Sequence, residues 1–235
     1  MSFSLVVPTV MMKLLLPAMN MVWAWSFRVC VYSIISMTAR FVILISGNGS
    51  NLQAILNACE SGELDAKVVS VISNKADAYG LTRAKRAGVD AIYFPKPKTE
   101  SREEYDTRLS DCVSTYLPDY IILAGWMRIL SFTFLSRFPS RVINLHPALP
   151  GMFPGTHAIE RAFEAYQCGE IDHTGVMVHL VPDEGVDNGP VLGQQGIYFL
   201  PDESFDEFEA RVHEVEHELL VNTLRGILKE MKRST

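Results

Sequence analysis

The apolar residues of this chain fall into short β-branched runs separated by stretches with helical spacing. Arg40 to Ser46, Ala66 to Asn74, Val89 to Phe94 and Asp119 to Ala124 each read as a strand, and Arg141 to His146 as a buried one. Between them, Leu52, Ile55, Leu56 and Cys59 step at helical intervals, Tyr79 to Ala87 closes at Gly88, and Ser101 to Tyr116 opens with the capping box Ser101/Glu104. The second half adds a helix over Ala158 to Cys168, strands over Thr174 to Val181 and Val191 to Phe199, and a long helix over Ser204 to Lys232. Phe205, Phe208, Val212, Val215 and Leu219 form the apolar stripe of that last helix. Strands alternating with helices predict an α/β fold: a doubly wound, mostly parallel sheet, Rossmann-type in its N-terminal half, with helices on both faces.

In such sheets ligands sit outside the carboxyl ends of the strands. Three features fall on that edge. Ser46-Gly47-Asn48-Gly49-Ser50-Asn51 is a glycine turn opening a helix, with Ser50 or Asn51 available as cap, and such a turn suits an anion. It lacks the third glycine of a dinucleotide fingerprint, and Asn74-Lys75 stands where a ribose-binding acid is expected, so a phosphate monoester fits better than NAD. Gly125 to Leu130 is a loop with a flat apolar lining. Asn144 and His146, two apart at a strand end, point to one side and can hold a carbonyl oxygen as it gains charge. A later loop, Pro182 to Pro190, carries three carboxylates: Asp183, Glu184 and Asp187.

Composition narrows the field. A net charge of −6 argues against a nucleic-acid surface. The four cysteines are scattered, with no CxxC pair, which fits a reducing compartment. Residues 1–40 contain no acid, and Pro17, Asn20 and Arg28 interrupt their apolar run, which makes a poor membrane span. Residues 1–39 are read as an extension outside the fold, through a start at Met37 or as a targeting segment, and residues 40–235 as a single domain. His213-Glu214-Val215-Glu216-His217 matches the H-E-x-x-H zinc signature. The core stripe runs beside it and little chain remains for a third ligand, so a zinc peptidase is the minor alternative and no metal is expected.

Five motifs in order, Ser46-Gly-Asn-Gly-Ser-Asn-Leu, Ser73-Asn-Lys-Ala-Asp-Ala, Ala124-Gly-Trp-Met-Arg-Ile-Leu, Asn144-Leu-His-Pro and Asp183-Glu-Gly-Val-Asp-Asn-Gly-Pro, resemble the phosphoribosylglycinamide formyltransferase family of purine biosynthesis. The likeness runs from about Arg40 to the C-terminus; Ala148 to Met152 departs from the family's commoner Ser-Leu-Leu-Pro. The resemblance implies formyl transfer from 10-formyltetrahydrofolate, as co-substrate, to the amine of 5'-phosphoribosylglycinamide, with no tightly bound cofactor and only small-molecule partners. It implies Asn144, His146 and Asp187 as catalytic residues, His146 being the proton donor. Gly49, Ser50 and Asn51 would hold the phosphate, and His213, Glu214, Val215 and Glu216 would contact the ribonucleotide. Arg102, Met127, Arg128, Ile129, Leu130, Asn144, Pro182, Asp183, Glu184, Gly185, Val186 and Asp187 would form the folate site. A carboxylate beside His146 is expected to raise the imidazole pKa. Cytoplasmic localisation is expected, with organellar targeting by residues 1–39 as the alternative. A tRNA formyltransferase would want an added nucleic-acid domain, and a formyl-folate hydrolase a regulatory one. A non-enzymatic nucleotide- or folate-binding module is the remaining reading.

Overall fold

The computed structural model describes residues 38–233; the expectations for the N-terminal extension lie outside the described residues. In chain order the elements are β1 (Ala39–Ile45), α1 (Ser50–Glu60), β2 (Ala66–Ser73), α2 (Tyr79–Arg86), β3 (Asp90–Tyr93), α3 (Arg102–Thr115), β4 (Tyr120–Leu123), α4 (Phe132–Leu135), β5 (Val142–His146), α5 (Ala158–Gln167), β6 (His173–Leu180), β7 (Val191–Tyr198) and α6 (Phe205–Arg233). The strands form one sheet in the order β3-β2-β1-β4-β5-β6-β7. The first five run parallel, and β6 and β7 pair antiparallel.

The alternation inside β1 shows why both faces are covered. Phe41, Ile43 and Ile45 enter the larger core cluster, shared with α1, α5 and α6. Val42 and Leu44 enter the second, shared with α3 and α4. Successive side chains leave a strand on opposite faces, so an all-apolar strand needs a helical layer on each. The capping box at Ser101 is present, with both reciprocal bonds made. The short α4 was not legible in the sequence. The first helix departs from expectation: neither Ser50 nor Asn51 caps it, and Gly49, at φ 76°, is its N-cap with no side-chain bond. The amides there are left for other acceptors.

The strand order reverses between β1 and β4, which makes that edge the switch point of the sheet. The loops leaving these two strands are tied together. Ser46 N–H donates to the Gly125 carbonyl (2.9 Å), Met127 N–H donates to Ser46 Oγ (2.8 Å), and Ser46 Oγ donates to Asn74 Oδ1 (2.7 Å). Among the described residues no helix is long and apolar enough to cross a membrane.

Candidate active site

Asn144 and His146 leave the end of β5 on one side, as the strand period requires. His179 lies opposite Asn144 in the antiparallel register of β6. Asp187 arrives from the β6–β7 loop in the left-handed region, at φ 52°. That conformation is uncommon for a side chain with a Cβ, and aspartate tolerates it better than most. Two contacts secure it. The Gly155 N–H donates to Oδ2 (2.9 Å) and Asn144 Nδ2 donates to Oδ1 (3.0 Å). Gly189 lets the loop return against β6, since a Cβ there would lie 1.8 Å from the Leu180 carbonyl oxygen.

The cluster is nearly dry. His146 is 4% exposed and His179 2%. His146 Nε2–H donates to the Phe153 carbonyl (3.1 Å), and Nδ1 faces Asp187 Oδ2 at 3.2 Å. Both ring nitrogens therefore meet acceptors, an arrangement that only the imidazolium satisfies completely. Burial outweighs this and pushes the His146 pKa below its ordinary 6.5, while Asp187 and the Phe153 carbonyl pull it up. The expected upward shift is thus corrected: desolvation, which the sequence does not display, is the larger effect. For Asp187, burial acts to raise the pKa, but hydrogen bonds from His179 and Gly155 and the charge of His146 leave it lowered. The carboxylate stays ionised.

His179 was not singled out from the sequence. Its Nδ1–H donates to the Leu180 carbonyl (2.8 Å), which leaves Nε2 3.2 Å from Asn144 Nδ2 and 3.5 Å from Asp187 Oδ1. The Asn144 amide is thus oriented by Asp187 and stands beside His179. The only prior signal was a polar residue inside an apolar strand.

A cavity of about 450 Å³ opens beside this cluster. Met127, Arg128, Ile129 and Leu130 line one side, and Asp183, Gly185, Val186 and Asp187 another. The predicted folate residues Arg102, Pro182 and Glu184 do not line it. Arg102 and Glu184 form an ion pair outside, and Glu184 also accepts from Phe132 N–H (2.7 Å), so the carboxylate ties the β6–β7 loop to the start of α4. Asp183 accepts from Gly185 N–H (2.8 Å) inside its own turn. The three loop carboxylates therefore do three different jobs. Arg128 lies over the Tyr105 ring, 4.8 Å from its centroid. Asp106, unremarked in the sequence and 1% exposed, accepts from Ser131 N–H (2.6 Å) and anchors the same loop from beneath.

At the other side of the switch point, Asn51 Nδ2 donates to Glu216 Oε2 (3.3 Å), and His213 Nδ1–H donates to the same oxygen (2.7 Å). Residues 165 apart in sequence are thereby joined. Glu216 is 4% exposed, and it raises the pKa of His213. Val215 packs on the core and Glu214 is exposed. In the zinc-like segment, His213 is thus bound to Glu216, and burial lowers the pKa of His217. Among the described residues no group of three or more His, Cys, Asp or Glu side chains could hold a metal ion.

A donor-lined crevice at the switch point of a doubly wound sheet, with a free helix N-terminus and no dinucleotide turn, defines an α/β enzyme of the group-transfer class. The chain belongs to the formyl transferase family, which it matches over residues 39–224. It is 44% identical to the phosphoribosylglycinamide formyltransferase of Dictyostelium discoideum over 202 residues, covering 80% of this chain and 98% of that protein. It is also 44% identical to the enzyme of that name from Escherichia coli over 178 residues, covering 76% and 82%. Among solved structures, glycinamide ribonucleotide transformylase 1 from Geobacillus kaustophilus matches with a TM-score of 0.76 at 36% identity, covering 81% of this chain and 99% of that one.

Proposed function

We propose that this protein transfers the formyl group of 10-formyltetrahydrofolate to the amine of 5'-phosphoribosylglycinamide, in the cytoplasm, through a single domain over residues 40–235 with residues 1–39 outside it. The observation that carries this reading is the double contact of Asp187 with Asn144 and His146 beside an apolar cavity. The likeness to the phosphoribosylglycinamide formyltransferases supports the choice of substrates. The folate occupies the cavity between Met127–Leu130 and Asp183–Asp187, with Arg102, Pro182 and Glu184 at its rim. The ribonucleotide lies along Gly49–Asn51 and His213–Glu216, its phosphate on the uncapped amides of α1 and a ribose hydroxyl on Glu216.

Attack of the neutral amine on the formyl carbon places negative charge on the formyl oxygen. Asn144 Nδ2 is already aimed by its bond to Asp187 Oδ1 (3.0 Å). A bond from this amide to the formyl oxygen strengthens as charge develops there, which is the condition for lowering a barrier. His146, its pKa depressed, takes up the amine proton directly or through water, forming an imidazolium that Asp187 and the Phe153 carbonyl both satisfy. The same low pKa makes that imidazolium a ready acid toward the departing folate nitrogen. No step needs a metal or a tightly bound cofactor.

A formyl-transfer assay with both substrates, with and without chelator, tests the reading. Formation of the N-formyl product and tetrahydrofolate, insensitive to chelator, is expected. Absence of transfer, or its loss on chelation, overturns it.

A further inference from the structure

Arg83, on the last turn of α2, lies behind the Gly47–Gly49 turn. Its Nε–H donates to the Asn48 carbonyl (3.0 Å), Nη2 to Asn48 Oδ1 (2.8 Å) and Nη1 to Gln53 Oε1 (3.2 Å). The guanidinium also stands 4.9 Å from the Tyr79 ring centroid. All of these partners are neutral, so its charge is not cancelled by any of them. It lines cavities on either side of the turn, one with Ser46, Gly47, Lys75 and Asp77, the other with Ser50, Gln53, Glu63, His217 and Glu218, and it forms no ion pair with these carboxylates. Backbone packing presses α2 onto the same turn. Gly80 N–H donates to the Gly47 carbonyl (3.1 Å), and a Cβ on Gly49 would lie 2.9 Å from the Gly80 Cα. The first turn of α1 carries no acid to compete with an anion.

We propose that Arg83 is the specificity-determining positioning residue for the substrate phosphate, fixing the Asn48–Gly49 turn through two bonds and supplying, from behind it, a positive charge that no ion pair engages. The proposal rests on the reading of Gly49–Asn51 as the phosphate-binding turn. A planar fork can hold the carbonyl and side-chain oxygens of one asparagine together, which a lysine ammonium cannot do in the same geometry. The amides then face the phosphate already ordered, and the dianion meets a charge in a partly desolvated place, where Coulomb attraction exceeds its value in water.

The test compares wild type, Arg83→Met, Arg83→Lys and, as control, Lys85→Met, an exposed charge on the same helix. Each is assayed with phosphoribosylglycinamide and with its dephosphorylated riboside, and titrated with inorganic phosphate by calorimetry. Arg83→Met should raise KM for the phosphorylated substrate about tenfold or more with kcat little changed, and leave the riboside unaffected. Its kcat/KM should also depend less on salt. Arg83→Lys should fall between, having charge without the fork, and Lys85→Met should match wild type. Equal losses for the two substrates, or a loss confined to kcat, would overturn the proposal. If wild type transfers no formyl group, the proposed function fails separately. Phosphate titration then decides for Arg83: weaker binding in the Met variant supports it, and equal binding overturns it.

Discussion

Asp187 divides its two oxygens between the two ends of one strand's active edge: Oδ1 accepts from Asn144 at 3.0 Å and Oδ2 stands 3.2 Å from His146 Nδ1. One carboxylate thereby orients an amide and offsets part of the cost of charging a buried imidazole. It does so from a left-handed backbone conformation that the loop holds in place.

Asp187→Asn tests that double role cleanly, because asparagine tolerates the left-handed region. Turnover should fall roughly a hundredfold or more, by analogy with loss of a preorganised electrostatic partner. The melting temperature should move little beyond the loss of the charged contacts. Near-normal turnover in a folded variant would remove Asp187 from the mechanism.

Asn144→Ala removes the aimed donor and should cost about a hundredfold or more in kcat with a smaller effect on either KM. His179→Phe, which keeps a ring without its polar nitrogens, should lower kcat less than Asn144→Ala does. An effect as large would assign His179 more than a supporting part.

The pH dependence follows from two lowered pKa values. Burial depresses His146 below 6.5, so in acid the unfolded chain binds a proton that the folded one resists, and stability falls as pH drops below 6.5. Asp187, also lowered, contributes stability that is present above 3.8 and lost as pH falls through its folded value. For activity, the acid limb of kcat/KM should lie below pH 6.5, where His146 becomes protonated. Removing the Asp187 charge takes away an influence that raises the His146 pKa, so Asp187→Asn should move that limb to lower pH. A shift to higher pH would contradict the pairing. His213 acts oppositely: raised by Glu216, it contributes stability below 6.5 that is lost as pH rises through its folded value.

Glu216→Gln keeps the size of a buried side chain while deleting its charge. It should raise KM for the ribonucleotide severalfold and leave KM for the folate unchanged. Glu184→Gln should do the reverse, because Glu184 ties the β6–β7 loop that frames the cavity to the start of α4. Kinetics with each substrate varied in turn would separate the two sites. Effects on the same KM from both variants would merge them.

Gly189→Ala should lower stability by about 1–3 kcal/mol, or displace the loop, since the added methyl would enter the Leu180 carbonyl. Thermal melts and turnover together would show which. A wild-type melt with wild-type turnover would mean that the loop returns along another path.

Residue order alone settled the layers of this protein. Unbroken apolar runs such as Phe41–Ile45 demand two covered faces, and alternation with helices makes the sheet parallel; from these the candidate edge, with Asn144 and His146 on one side of it, could be read. What the chain order did not contain was contact between distant segments. That Asn51 meets Glu216, that Asp106 anchors the loop at Ser131, that Arg102 is engaged by Glu184 outside the cavity, and that His179 stands beside Asn144 all depend on strand order and loop return. The His146 charge is the clearest case. Its neighbouring carboxylate was anticipated, yet its pKa moves the other way, because burial is a property of the assembled fold and the cost of desolvating a charge belongs to no single residue or spacing.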